Sequence, residues 1–150
     1  MIAPNPGMPA GPLREIASGG ELSRVMLAIL SVAHGRSADS AGSTGAGAGP
    51  LLVFDEVDAG IGGHTARAVG EHLRALAEGR QILCITHLPQ VAAMAERHFT
   101  IAKDSTAAPA RTTVSTLAGD DVVGELVRML GAAEGDRAAS RHARSLLRAA

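Results

Sequence analysis

The stretch that most constrains this chain is Leu51-Leu52-Val53-Phe54-Asp55-Glu56, four apolar residues in a row running into two adjacent carboxylates. An unbroken apolar run of this length fits a strand buried on both faces, the pattern of a parallel sheet covered by helices. In such sheets ligands collect outside the carboxyl ends of the strands, where Asp55 and Glu56 emerge. A carboxylate there can hold a hydrated Mg²⁺, and its neighbour can orient or deprotonate a water. A strand that simply stops at a charged turn has the same residues. The flanking sequence has to decide.

Val69, Leu73 and Leu76 mark a helix from about Thr65 to Ala77, closed by Gly79-Arg80. Gln81 to His87 is a second apolar run that also ends in polar residues. Strand, helix, strand at this spacing is a crossover unit with parallel strands, and the class is α/β. Asp55, Glu56 and His87 then leave the sheet at one edge. That convergence favours a site over a charged turn.

Upstream, residues 1–12 are rich in Pro, Gly and Ala and read as an irregular lead-in. Leu22, Met26, Ile29 and Ala33 follow a helical spacing, predicting a helix from about Glu21 to His34. Ser18 with Glu21 three residues later has the form of a capping box. Residues 35–50, almost all Gly, Ser and Ala, cannot repay ordering entropy by burial and read as a flexible loop within the domain. Downstream, Leu88 to Ala95 predicts a short helix, and His98–Lys103 with Thr112–Leu117 a hairpin at the edge of the sheet. Val122, Leu126 and Leu130 give a helix ended by Gly131, and Arg137 to Arg148 a last one.

A length of 150 residues is one domain's worth of chain. No stretch approaches the roughly 18 apolar residues of a membrane span, which argues against a membrane partner. The lone Cys84 can form no intramolecular disulfide, which fits a reducing cytoplasm. A formal net charge of −1 gives no global basic field to draw nucleic acid. Phe54 and Phe99, the only aromatic residues, offer no stacking platform for bases. DNA, as a partner, would be read elsewhere.

Among the motifs, Ser18-Gly19-Gly20-Glu21 at a helix start offers a hydroxyl and uncovered backbone N–H groups to an anion. An ordinary capped helix has the same residues. His87 can donate to a phosphate oxygen or be a plain surface histidine. The other histidines show no spacing with Cys or carboxylates that predicts zinc. The glycines of Asp58-Ala59-Gly60-Ile61-Gly62-Gly63 permit close approach by a ligand or another chain. Arg137, Arg141, Arg144 and Arg148 share one helical face, a solvated stripe or a DNA contact.

In combination these pieces are more specific. Ser-Gly-Gly-Glu-Leu-Ser-Arg opening a helix, then an apolar run into Asp-Glu-x-Asp, then a strand into Thr-His, resembles the SMC-like branch of the ATP-binding-cassette ATPases. Ala17 to Arg24, Phe54 to Gly60, Thr86 to Ala92, Leu126 to Leu130 and Ala143 to Leu147 resemble the C-terminal head segment of the RecN family of bacterial DNA repair. Transporter ATPases typically carry Glu-Pro after the Walker B aspartate and a Gln-rich signature, unlike Glu56-Val57-Asp58 and Glu21 here. The resemblance implies that Ser18, Gly19 and Gly20 are the signature motif touching the γ-phosphate of ATP held by an opposing head. It implies that Asp55 positions Mg²⁺, through water, that Glu56 is the general base, and that Asp58 belongs to the loop crossing between heads. His87 becomes the switch histidine at the γ-phosphate.

Two features depart from that family. The loop at 35–50 looks longer than the family's connection. More seriously, a phosphate-binding loop needs Gly-x-x-x-x-Gly-Lys-Ser/Thr, and the only lysine, Lys103, lies in Ile101-Ala102-Lys103-Asp104. The reading is therefore a partial P-loop NTPase fold, residues 1–150 being the C-terminal half of an ATPase head. Its expected partners are an N-terminal lobe bearing Walker A, a second head in a homodimer, and DNA through the whole protein. ATP and Mg²⁺ are the implied cofactors, and double-strand break repair and recombination, in the cytoplasm at the nucleoid, the implied setting. The chain alone is expected to be inactive. A non-catalytic module regulating a complete ATPase, or a transporter ATPase half, are the alternatives.

Overall fold

The structure, a computed structural model, describes residues 3, 7, 9–12, 17–37, 51–78, 80–104, 106 and 109–150. Helix α1 spans Gly19–Ser37, strand β1 Leu52–Phe54, helix α2 Gly63–Leu76 and strand β2 Ile82–Cys84. Then follow α3 (Pro89–Ala92), β3 (His98–Asp104), β4 (Arg111–Leu117), α4 (Asp120–Met129) and α5 (Arg137–Arg148). The chain divides into two compact units, Met1–Thr86 and His87–Ala150.

In the first unit β1 and β2 pair in parallel, Leu52 opposite Ile82, Val53 opposite Leu83 and Phe54 opposite Cys84. The ladder extends through Leu52 N donating to Gln81 O (3.0 Å) and Ile85 N to Phe54 O (2.9 Å). The predicted crossover helix lies between them as α2. It buries Ala66, Val69, Gly70, Leu73 and Leu76, one face at the helical period, and packs on α1.

Two expectations for this unit need correction. The central strand was predicted to be buried on both faces. Phe54 is buried, but Val53 is 57% exposed and Leu83 opposite it 43%. Leu51 and Ile85, two residues along on the same face, are exposed as well. One face of the pair is thus covered and the other left bare, because among the described residues of this unit two strands and their neighbouring helices make up the sheet and its cover. Along α1, Leu22, Met26 and Ile29 of the predicted apolar stripe are exposed, and so is Val32. The face turned inward carries Gly20 and Leu27 instead. The helix runs to Ser37, three residues into the stretch read as a loop, while 38–50 and Gly79 lie outside the described residues. The described residues of 1–12 belong to none of these elements.

In the second unit β3 and β4 form an antiparallel hairpin, His98 opposite Leu117 through Asp104 opposite Arg111. It is a two-stranded sheet of its own among the described residues, not an edge of the β1–β2 sheet as predicted. Seven-residue strands pairing locally need no third strand to set their register. The core joins Ala93, Val122, Val123, Leu126, Val127 and Ala143, with Leu117, Leu146 and Leu147 packed against it. Asp136 starts α5 by accepting from the N–H groups of Ala138 (2.7 Å) and Ala139 (3.0 Å). Arg144 on α5 reaches Asp120 at the start of α4 (2.8 Å). That member of the arginine stripe is tied to a neighbouring helix.

Candidate functional site at the carboxyl end of β1

The capping box predicted at Ser18 forms. Ser18 N donates to Glu21 Oε2 (2.8 Å), Ser18 Oγ donates to the same oxygen (2.9 Å), and Glu21 N donates back to Ser18 Oγ (3.4 Å). These bonds from Ser18 hold the Glu21 carboxyl below its ordinary value. Helix α1 therefore starts at Gly19 with two glycines in its first turn and the N–H of Glu21 taken by Ser18 Oγ; an anion site there would use the N–H groups of Gly19 and Gly20.

The helix start lies directly against the loop that leaves β1. A Cβ on Gly20 would stand 2.7 Å from the carbonyl oxygen of Glu56 and 2.7 Å from the Cβ of Ala59. A Cβ on Gly19 would stand 3.0 Å from Glu56 Oε2. Only glycine allows this approach at position 20, since the crowding atom is backbone. Further down the same face, Ser23 Oγ donates to Asp55 O (2.9 Å). Arg24 Nη1 donates to Val57 O (3.2 Å) and Ala59 O (2.7 Å). Alternate carbonyls of the loop, 55, 57 and 59, are thus held by two consecutive residues of α1.

Glu56 occupies the left-handed region, φ 56°. That conformation costs a non-glycine residue about 1–2 kcal/mol, and it persists where the surroundings over-determine it. The turn closing behind it, Ala59 N to Glu56 O (3.0 Å), and the bonds to α1 supply that constraint. The outcome is that Asp55 and Glu56 are both exposed at the strand end, while Val57 and Asp58 turn inward to full burial.

Asp58 is 1% exposed, and its Oδ2 accepts from Thr86 Oγ1, which fastens the loop after β1 to the end of β2. Burial, helped by the charges of Asp58 and then Asp55, pushes the Cys84 thiol up to about 12. Negative charge is therefore gathered where both strands end. Two exposed carboxylates with a buried one behind them suit Mg²⁺, which keeps several waters and takes few protein ligands. Among the described residues no group of three or more His, Cys, Asp and Glu makes a protein-only metal cage.

The structure thus brings together Ser18, Gly19, Gly20, Asp55, Glu56 and Asp58. His87 is exposed and is the first residue of the second unit. Lys103 lies within β3 opposite Thr112, far in kind from a phosphate-binding loop. No neighbouring atom crowds Gly60, Gly62 or Gly63; glycine is required at Gly60 and Gly63 by their positive φ of 71° and 55°. Ser23 and Arg24 were not singled out from the sequence, although Gly20, Ser23, Arg24 and Leu27 share a helical face at the same period as the apolar stripe.

The chain is 46% identical to the DNA repair protein RecN of Treponema pallidum over 149 residues, 99% of this chain and 24% of that protein. It is 47% identical to the RecN of Deinococcus radiodurans over 143 residues (95% and 23%) and 41% identical to that of Bacillus subtilis over 150 residues (100% and 24%). The chain is similar to a segment of RecN. It spans about a quarter of the length of the curated relatives it matches, consistent with a C-terminal segment of RecN. No protein-family model matches it. A solved SMC ATPase, described in work on ATP-driven dimerisation and DNA-stimulated activation of SMC ATPases, matches 81% of this chain and 66% of its own with a TM-score of 0.51 at 17% identity. The chain thus shares the α/β fold of that SMC ATPase, and no helix of it among the described residues is long and apolar enough to cross a membrane.

Proposed function

We propose that this RecN-like segment is the C-terminal half of an ATPase head acting in DNA repair and recombination, with a Walker A lobe supplied by another segment. The observation that carries the reading is the contact of the Ser18–Gly20 helix start with the Asp55–Ala59 loop, which puts a helix N-terminus beside two exposed carboxylates. Asp55 would orient a Mg²⁺ through its water shell. Glu56 would take the proton of the attacking water; its Oε2 lies beside Gly19, 3.0 Å from where a Cβ there would stand. The N–H groups at Gly19 and Gly20 would face the γ-phosphate held by an opposing head of a homodimer. Asp58, bonded to Thr86, would hold the loop that faces that head, and His87 would donate to the γ-phosphate. ATP supplies the transferable phosphoryl group and Mg²⁺ the charge neutralisation when bound.

The bare face of the β1–β2 pair supports a segment over a free-standing regulatory module. Leu51, Val53, Leu83 and Ile85 are 43% to 57% exposed side by side, a surface that in a complete head would lie under the N-terminal lobe. DNA would be engaged through the whole protein, in the cytoplasm at the nucleoid.

The test is ATP hydrolysis by this chain alone and mixed with a separately expressed lobe carrying Walker A. Activity is expected only in the mixture. Glu56→Gln should lower turnover by about 10²–10⁴-fold while ATP-driven dimerisation persists, since general-base catalysis contributes on that order. Turnover by the chain alone would overturn the reading of a half head, and full turnover by Glu56→Gln would remove Glu56 from the mechanism.

A further inference from the structure

Arg24 has no part in the roles assigned so far, yet it makes two links between α1 and the loop. One terminal nitrogen, Nη1, donates at 2.7 Å to Ala59 O and at 3.2 Å to Val57 O. These carbonyls bracket the inward turn at Asp58 and follow Glu56 directly. Ser23 beside it holds the carbonyl before Glu56, at Asp55. A charged donor to a carbonyl in a partly buried setting is among the stronger hydrogen bonds available to a side chain. Glu56 meanwhile sits in a conformation its own backbone disfavours. Without the Arg24 bonds, the carbonyls of Val57 and Ala59 lose their donor, and the loop can relax Glu56 toward an ordinary φ. Its carboxylate would then leave the direction set by the strand end.

We propose that Arg24 is a positioning residue for Glu56, clamping the Val57–Ala59 carbonyls so that the carboxylate is held where water is to be deprotonated. The inference rests on the general-base reading of Glu56 and adds to it a residue on the helix that opens with Ser18–Gly20. Because the clamp and the helix start belong to one rigid helix, a phosphate pressing on Gly19 and Gly20 acts on the same loop. Arg24 touches neither nucleotide nor water in this scheme; it acts through Glu56.

The experiment is steady-state ATP hydrolysis by a full-length RecN carrying this segment, with Arg24→Ala, Arg24→Lys and Glu56→Gln. Arg24→Ala should lower kcat by about 10²-fold, the cost of roughly an ångström's misplacement of a reacting group, and leave KM for ATP and ATP-driven dimerisation near wild type. Arg24→Lys, whose ammonium can still donate to both carbonyls, should recover much of that loss. If Arg24→Ala fails to fold, Arg24→Gln, with a donor of shorter reach, is expected to show the same split between kcat and KM. Equal loss of kcat and dimerisation in the alanine and lysine variants would make Arg24 a fold support and overturn the proposal. Wild-type kcat in Arg24→Ala, with turnover abolished by Glu56→Gln, would overturn the proposal and leave the general base standing. Full turnover in Glu56→Gln would remove both.

Discussion

The two units of this chain solve opposite problems. The second closes a core around Leu126, 1% exposed, from two helices, a short helix and a hairpin that pair locally. Its polar links tie neighbouring elements of that core, as Arg144 with Asp120 at the surface and Thr100 with Glu125 partly buried. The first unit buries Phe54, Val57 and the inner face of α2, yet leaves the outer face of its strand pair bare. Its polar links lie at the strand end, where Ser23 and Arg24 of α1 and Thr86 beyond β2 hold one loop from two sides. Apolar packing fixes the second unit. Hydrogen bonds to a strained loop fix the working part of the first. Stability and site geometry are therefore separable, and substitutions should separate them.

The largest expected effect on stability is in the second unit. Leu126→Ala leaves a void among Ala93, Val122, Val123 and Ala143 and should cost about 2–5 kcal/mol. Hydrogen exchange would show protection lost across α4 and α5 and kept in α2. Equal loss in α2 would mean that the units unfold as one, and the contrast between them would collapse.

Gly20→Ala should act in the opposite place with a smaller cost, about 1–3 kcal/mol of overpacking. Its Cβ meets the Glu56 carbonyl and Ala59, so either the helix start or the loop must move. Faster exchange is expected at residues 56–61 with α4 and α5 unchanged. Wild-type exchange there would show that the helix start and loop are not in forced contact.

How much of this was legible beforehand follows from what each signal measures. Apolar runs and turn residues marked every element, because burial and backbone freedom are local properties of the sequence. The Ser18–Glu21 capping box formed as written, since both partners lie within one turn. Periodicity failed on α1. It picked Leu22, Met26 and Ile29, which are exposed, because hydrophobicity shows which face wants to be covered and not what covers it in this chain. The inward face, Gly20, Ser23, Arg24 and Leu27, is partly polar since it meets backbone carbonyls. Those carbonyls carry no mark in the sequence. Nor did the two carboxylates reveal that Glu56 takes a positive φ, because Glu has no preference for that region.

The smallest effect expected is a charge effect in the second unit. Glu125 accepts from Arg128 Nε (2.8 Å) and Nη2 (2.7 Å), and from Thr100 Oγ1 of the hairpin (3.3 Å). The Arg128 bonds hold the Glu125 carboxyl below its ordinary value, with partial burial opposing them and Thr100 assisting. A carboxyl lowered by folding adds stability above its unfolded pKa, near 4.3, and that share disappears as pH falls through the folded value. Arg128 is 72% exposed, so screening keeps the contribution under about 1 kcal/mol. Glu125→Gln should therefore melt slightly lower than the wild type at pH 7, and the gap should close in acid, below the lowered pKa. A gap that stays constant into acid would assign the effect to the Thr100 hydrogen bond rather than to charge. The Glu125–Arg128 pair would then contribute nothing as an ion pair, and the contrast of the second unit with the polar, braced loop of the first would be sharper.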